Sequence, residues 1–235
     1  MNTRRTAALM VAAAVLVNVA FTVLAVVFDY PDVLQRPAGE VLASFRASQL
    51  TVTVGFLGLA LGAAMLAPVA VGVGRLSGSR AMRWAVPVGV AAAVVQVVGL
   101  LRWPLLVPGW AAAAAGPDPA GATEAFGVAH RVLGTLIGET GGYLLTAAWT
   151  GLVLAALGTA FAGRLFVALG AVSTVLVLVG VLTPLGIPLV DPDLLDRANF
   201  VGYVLWSAWL VVFAVVLLVQ QHRRAAGRVV AGSVR

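Results

Sequence analysis

Glu139 and Arg102 are charged residues set inside long apolar runs, where a charge must be paired, hydrated or put to use. A charged side chain at the centre of a bilayer costs about 2.5 to 3.5 kcal/mol on insertion scales. Glu139 lies eight residues beyond Arg131, roughly 12 Å along an α-helix. On such a helix Thr135, Glu139, Tyr143, Thr146 and Thr150 fall within an arc of about 80°, with Arg131 at its edge. That stripe is predicted to face neighbouring helices, where its hydrogen bonds can be met. Arg102 sits roughly 7 Å below the end of its own run, and its long side chain can reach the next segment. An Arg102–Glu139 ion pair is therefore predicted. Such a pair can lock two helices together, or it can orient a cationic or hydroxylated ligand.

Further polar residues can extend this site. Arg46, Gln49 and Thr53 share a helical face within about 60°. The candidate ligand-binding set is Arg46, Gln49, Arg102, Arg131, Glu139 and Tyr143, with His130 and Trp103 as accessory residues at its mouth. His130 also reads as an interfacial hydrogen-bonding residue, and Trp103 as an interface or core aromatic. Asn18 and Gln96 read as interhelical hydrogen bonds, and Asn199 as a helix cap. Gly134, Gly138 and Gly142 form a small-residue ridge that permits close helix approach, and Gly55, Gly58 and Gly62 suit packing.

Several chemistries are set aside. The chain has no cysteine, which excludes disulfides and thiolate sites. His130 and His222 fall on opposite sides of the predicted membrane, so they cannot share a haem, and no His and carboxylate cluster suits zinc. No cofactor or metal is predicted, and no catalytic residue is assigned. Ser77-Gly78-Ser79 reads as a turn, and Asp191 to Asp196 as a solvated connection ahead of a helix. His130 and Glu139, nine residues apart, lie about 180° from each other on an α-helix, which weakens any joint acid–base role.

The elements that position these residues follow from composition. Of 235 residues 61% are hydrophobic and 10% charged, with mean hydropathy +1.03. Soluble domains carry roughly 25% charged residues, and about 20 apolar residues cross a bilayer as a helix. Six such segments are read at 6–28, 50–73, 84–107, 132–161, 165–190 and 200–219, followed by a basic tail at 220–235. The predicted fold is all-α: one integral membrane domain, a bundle of six transmembrane helices. Segments two and four are predicted to begin earlier, near Val41 and Ala125, because no proline interrupts either approach. Pro68, Pro87, Pro184 and Pro188 are read as kinks or helix ends. Arg4 and Arg5 before the first apolar run resemble a signal peptide, but the run is longer than an h-region, so an uncleaved helix is expected.

All fifteen basic residues are arginine. Ten of them fall at the termini and in the loops after segments two and four; the other five share the opposite side with the nine carboxylates, Glu139 included. By the positive-inside rule both termini are cytoplasmic. The net charge of +6 is thus an orientation signal and calls for no nucleic acid partner. Membrane lipids, and a small amphiphilic ligand, are the partners predicted; the oligomeric state is left open.

Gly99-Leu100-Leu101-Arg102-Trp103-Pro104, then His130-Arg131-Val132-Leu133-Gly134, then Gly138-Glu139 and Gly142-Tyr143, resemble a bacterial family of small membrane proteins catalogued as domain of unknown function 4386. The resemblance implies an integral membrane location, in the bacterial inner membrane, and six helices; it implies no substrate. Three functions remain open. One is an outward-facing polar cavity around Arg102 and Glu139 that binds or passes a small amphiphile or lipid. The second is an intramembrane enzyme acting on a lipid or isoprenoid, and the third a structural or regulatory bundle with a packing ion pair.

Overall fold

Long runs rich in alanine and leucine favour helix. The computed structural model describes residues 2–117, 119–183 and 191–232, with backbone alone at 192, 193 and 224–232, and holds no strand among them. Asp118, Pro184, Pro188 and Arg235 lie outside the described residues, as do the side chains of Asp193, Arg224 and Arg228.

Helix α1 spans Thr3–Phe28, α2 Ala38–Ala47, α3 Gln49–Ala64, α4 Leu66–Val73, α5 Arg80–Leu105, α6 Val107–Ala113 and α7 Pro119–Ala129. A π-helix, His130–Gly141, continues α7 and leads into α8, Gly142–Val179; α9 is Pro192–Gly232. Five stretches are long and apolar enough to cross a membrane: Thr3–Phe28, Gln49–Leu76, Arg80–Ala113, Pro119–Val179 and Leu194–Arg223. Their outer faces expose large apolar side chains, among them Val26, Leu50, Leu136 and Leu165 at 81, 78, 62 and 86%. Lipid accepts such a surface, whereas water penalises it.

The fourth stretch, 61 residues long, would reach roughly 90 Å if straight, three times the hydrocarbon thickness. It turns back at Gly158, Ala162 and Gly163, where Gly158 and Gly163 take φ of 58° and 82°. Only glycine enters that region without a Cβ penalty. The two limbs of α8 then pack against each other, with Gly170 against Leu154.

Successive passes run antiparallel. Gly55, Gly58 and Gly62 of α3 meet Leu24, Ala20 and Val17 of α1 in reverse order. Gly89, Gly99 and Arg102 of α5 meet Trp149, Gly138 and Gly134 in the same sense. Gly180, Gly202 and Gly170 bring the second limb of α8 against α9 through Asn199, Leu176 and Trp209. Against lipid the hydrophobic effect supplies no force between helices, so close backbone approach through glycine carries the packing.

Several expectations are corrected. The early start of segment two is a separate helix, because Ser48 breaks the chain with φ −133°, ψ 32° between α2 and α3. Segment four does begin early, at Pro119, but passes into the π-helix. Pro68 sits in the first turn of α4, where no N–H is needed, while Pro87 lies within an uninterrupted α5. The last helix starts at Pro192 and continues to Gly232, so the run after Gln220 is helical as far as it is described. Asn199 therefore lies inside α9 and does not cap its start; its Nδ2 donates instead to the Val177 carbonyl in the last turn of α8, at 2.8 Å. Asn18 bonds within its own helix, to Ala14 O at 2.7 Å.

Two apolar clusters bracket the bundle. One gathers Phe28, Phe45, Phe56, Trp103 and Phe126 at the end where α1 finishes and α5 stops. The other gathers Met10, Met82, Trp149, Phe166, Trp209 and Phe213 at the opposite end.

Candidate functional site

A π-helix bonds each N–H five residues back and is rare beyond a single turn, and such turns gather at functional sites. Here it runs for 12 residues and carries His130, Arg131, Thr135 and Glu139. The Thr140 hydroxyl donates to the Thr135 carbonyl, five residues back, at 2.9 Å. The extra residue in each turn takes the nine residues from His130 to Glu139 from about two and a half turns to about two. Both side chains therefore come to one side of the helix, where the α-helical reading put them opposite.

Glycine lets α5 settle directly on this segment. A Cβ on Gly99 would lie 2.6 Å from Gly138 Cα, and one on Gly134 would lie 2.7 Å from Arg102 Nη2. Gly142 faces Gln96 in the same way, so the glycine ridge packs as its spacing predicts. Through this contact Arg102, 5% exposed, is laid across the π-helix. Its Nη1 donates to Gly99 O at 2.5 Å and its Nη2 lies 3.3 Å from His130 Nδ1, while Nε has no partner.

The predicted direct ion pair is not formed: Arg102 bonds Gly99 and His130, and Glu139 stands within its electrostatic range without contact. Because guanidinium can only donate, the His130 Nδ1 facing it accepts, which puts the ring proton on Nε2. His130 also stacks on Phe126, with ring centroids 5.9 Å apart.

Glu139 is half-buried and makes no hydrogen bond or ion pair to any described residue. Around it, within electrostatic range, stand Arg102, Asp196, Tyr30, Tyr143 and Tyr203. These are all three tyrosines of the chain, brought together from the turn after α1, from α8 and from α9. Tyr143 and Tyr203 lie with ring centroids 5.7 Å apart at 57°. Burial pushes the Tyr30 phenol up to about 12; Glu139 adds to the rise and Arg102 opposes it.

Below this group runs a line of polar contacts. Gln96 Nε2 donates to Thr146 Oγ1 at 2.9 Å, the interhelical bond expected of it. Thr150 donates to the Thr146 carbonyl at 2.9 Å, and Trp206 Nε1 donates to Thr150 Oγ1 at 2.8 Å. A cavity of about 60 Å³ adjoins them, lined in part by Gln96, Tyr203, Trp206 and Ser207.

Other predicted site residues stand elsewhere. Arg46 is exposed and its Nη1 donates to Ala111 O at 2.7 Å, satisfying a carbonyl near the end of α6. Gln49 and Arg131 are exposed. Trp103 is wholly buried, stacked 4.5 Å from Phe56 at 5°, which makes it a core aromatic. The sequence alone does not mark Tyr30 and Tyr203, although each lies near the acidic-side end of its apolar run, as Glu139 and Tyr143 do; Asp196, expected in a solvated connection, instead lies within α9, half-buried, and accepts from Thr183 Oγ1 at 3.0 Å. Among the described residues no group of three or more His, Asp or Glu is placed to hold a metal ion.

The architecture defines an all-helical protein with membrane-type helices and a polar group enclosed between two aromatic clusters. The chain belongs to the family described as a domain of unknown function (DUF4386), which matches residues 6–214. Comparison with the curated proteins and with the solved structures returns no match.

Proposed function

We propose that this is a multi-pass protein of a bacterial inner membrane that binds the polar head of a small amphiphile or lipid beside Glu139. Its six crossings arise if Pro119–Val179 passes through the membrane twice, turning at Gly158–Gly163. Both termini then lie on the arginine-rich cytoplasmic side and the site opens outward. The observation that carries this reading is Glu139 itself, a carboxylate in an apolar stretch with no hydrogen bond or ion pair to any described residue. A polar group at such depth has to find a partner, and a bound head group supplies one. Arg102, Tyr143, Tyr30 and Tyr203 complete the recess, with Arg131 exposed at its rim.

The other two functions draw less support. As a packing device, Arg102 and Glu139 would need to touch, and they do not. For an enzyme, the π-helix brings His130 and Glu139 onto one side. Arg102 nevertheless occupies His130 Nδ1, leaving Nε2–H as a donor and no basic nitrogen free.

The test is native mass spectrometry of protein purified in mild detergent. Wild type is expected to carry an amphiphile that Glu139→Gln releases while circular dichroism and thermal unfolding stay unchanged. A variant that unfolds more readily while keeping the same bound mass would place Glu139 in packing and overturn the proposal.

A further inference from the structure

The recess reading leaves the chemistry of the head group open, and the charges and rings around Glu139 narrow it. Arg102 is turned into the protein, 5% exposed and engaged with Gly99 O and His130. It therefore presents no free fork to a phosphate or carboxylate, which is how arginine recognises such groups. The recess holds two carboxylates, Glu139 and Asp196, against this one guanidinium. Asp196 accepts a hydrogen bond from Thr183 Oγ1 at 3.0 Å, and His130 is neutral as an acceptor from Arg102. With both carboxylates ionised, the state a bound cation would favour, these groups sum to 1 − 2 = −1. The cations beside them in sequence, Arg131 and Arg197, are exposed.

One positive charge on the ligand would balance the recess. The rings point the same way. Aromatic faces attract ammonium groups, and a cage of several rings with a carboxylate is a recurrent way to hold them. Three tyrosines converge on Glu139 from three elements, two of them with an open angle of 57° between their planes. Tyr143 and Tyr203 remain partly exposed, whereas Tyr30 packs edge to face with Phe21 and Phe56 at 5.6 and 5.2 Å and borders the group from the side.

We propose, building on the recess reading, that the ligand's head is a monocation, a protonated or quaternary ammonium, seated between Glu139 and the rings of Tyr143, Tyr203 and Tyr30. Such a head occurs on zwitterionic phospholipids and on free organic amines, and the two sources differ in whether an acyl chain is required.

The experiment exposes wild-type protein in detergent to equal amounts of phosphatidylethanolamine, phosphatidylcholine and phosphatidylglycerol with identical acyl chains. Retention is read by native mass spectrometry. Phosphatidylglycerol shares the phosphate and the chains, so it isolates the ammonium. The ammonium-headed lipids are expected to be retained about tenfold or more over phosphatidylglycerol, the factor a charge-assisted contact supplies. Glu139→Gln should remove that preference, Tyr143→Phe keep it and Tyr143→Leu weaken it. Because wild type alone can be challenged with tetramethylammonium chloride against sodium chloride at equal ionic strength, the proposal stays testable even if a variant misfolds. Displacement of bound lipid by tetramethylammonium supports a lipid head, and stabilisation of lipid-free protein by it alone supports a free amine. Equal or stronger retention of phosphatidylglycerol overturns the ammonium assignment and leaves the recess standing. Retention of no lipid, with no response to tetramethylammonium, removes the recess as well.

Discussion

Adding one methyl group at Gly99 tests whether backbone contact between α5 and the π-helix builds the site. In Gly99→Ala the new Cβ would sit 2.6 Å from Gly138 Cα and 2.9 Å from Leu133 O, both backbone atoms. Carbon pairs rest at about 3.5 to 4.0 Å, so the two helices have to part by about 1 Å. Overpacking of this kind costs about 1 to 3 kcal/mol. The displacement also opens the Arg102–His130 contact, already 3.3 Å long and one turn from Gly99. Gly134→Ala is the contrasting change. Its Cβ would lie 2.7 Å from Nη2 and 2.8 Å from Cζ of Arg102, the far end of a flexible side chain that can swing aside. Stability should then change by less than about 1 kcal/mol, since alanine also favours helix over glycine, while the guanidinium leaves His130. Equilibrium unfolding in mixed micelles, followed by far-ultraviolet circular dichroism and by fluorescence of the six tryptophans, measures both. Gly99→Ala as stable as wild type, or Gly134→Ala as damaging as Gly99→Ala, would refute the close-contact account.

Two further predictions address topology and Tyr30. Reporter fusions after Gly78 and after Gly116 are expected on opposite sides of the membrane, cytoplasmic and external respectively; the same side for both would break the six-crossing reading. Tyr30 is held neutral, its phenol pushed up to about 12 from an ordinary value of 10.0. Its contribution to stability is thus complete below pH 10 and is lost as pH rises toward about 12. Tyr30→Phe should flatten the fall in stability across that alkaline window in detergent, and an unchanged slope would show that Tyr30 titrates normally.

Much of the scaffold is legible from apolar run length, because the length of a crossing and the cost of exposed backbone leave few alternatives to helix. Glycine spacing likewise anticipates the contacts of Gly134, Gly138 and Gly142 with α5. Turn geometry in the middle of a run is harder to read. Nothing in Leu133 to Thr140 marks a π-helix, since α and π turns use the same residues and the choice rests on what packs against them. A wheel drawn at the α period therefore separates His130 from Glu139 wrongly. The break at Ser48 carries no proline or glycine, so the face shared by Arg46 and Gln49 on paper is divided between two helices. The sequence pairs Arg102 with the nearest opposite charge, yet His130 and the Gly99 carbonyl of its own helix take its donors first. Trp103 and Tyr143 show the same limit from the other direction. Both are aromatic residues near polar partners, and only the tertiary arrangement turns one into core and the other toward Glu139.

The position of the polar group between the two aromatic clusters bears on whether a ligand would bind or pass through. Below Glu139, and not bonded to it, polar contacts run from Gln96 through Thr146 and Thr150 and finish at Trp206. Beyond that point Trp149, Phe166, Trp209 and Phe213 pack ring against ring, with centroids 5.2 to 5.9 Å apart. Trp149, Trp209 and Phe213 are wholly buried. The indole N–H groups of Trp149 and Trp209 have no hydrogen-bond partner, so among the described residues the line of polar contacts does not continue through this layer. The adjoining cavity of about 60 Å³ exceeds the volume of roughly 10 to 15 Å³ that one water needs, but it is far smaller than the 300 to 1,000 Å³ of a pocket that encloses a drug-sized ligand. A head group entering from the acidic side would meet Glu139 and the tyrosines and then a closed apolar floor. Of binding and passage, this arrangement favours binding, with the amphiphile's chain left along the lipid-facing side of the bundle.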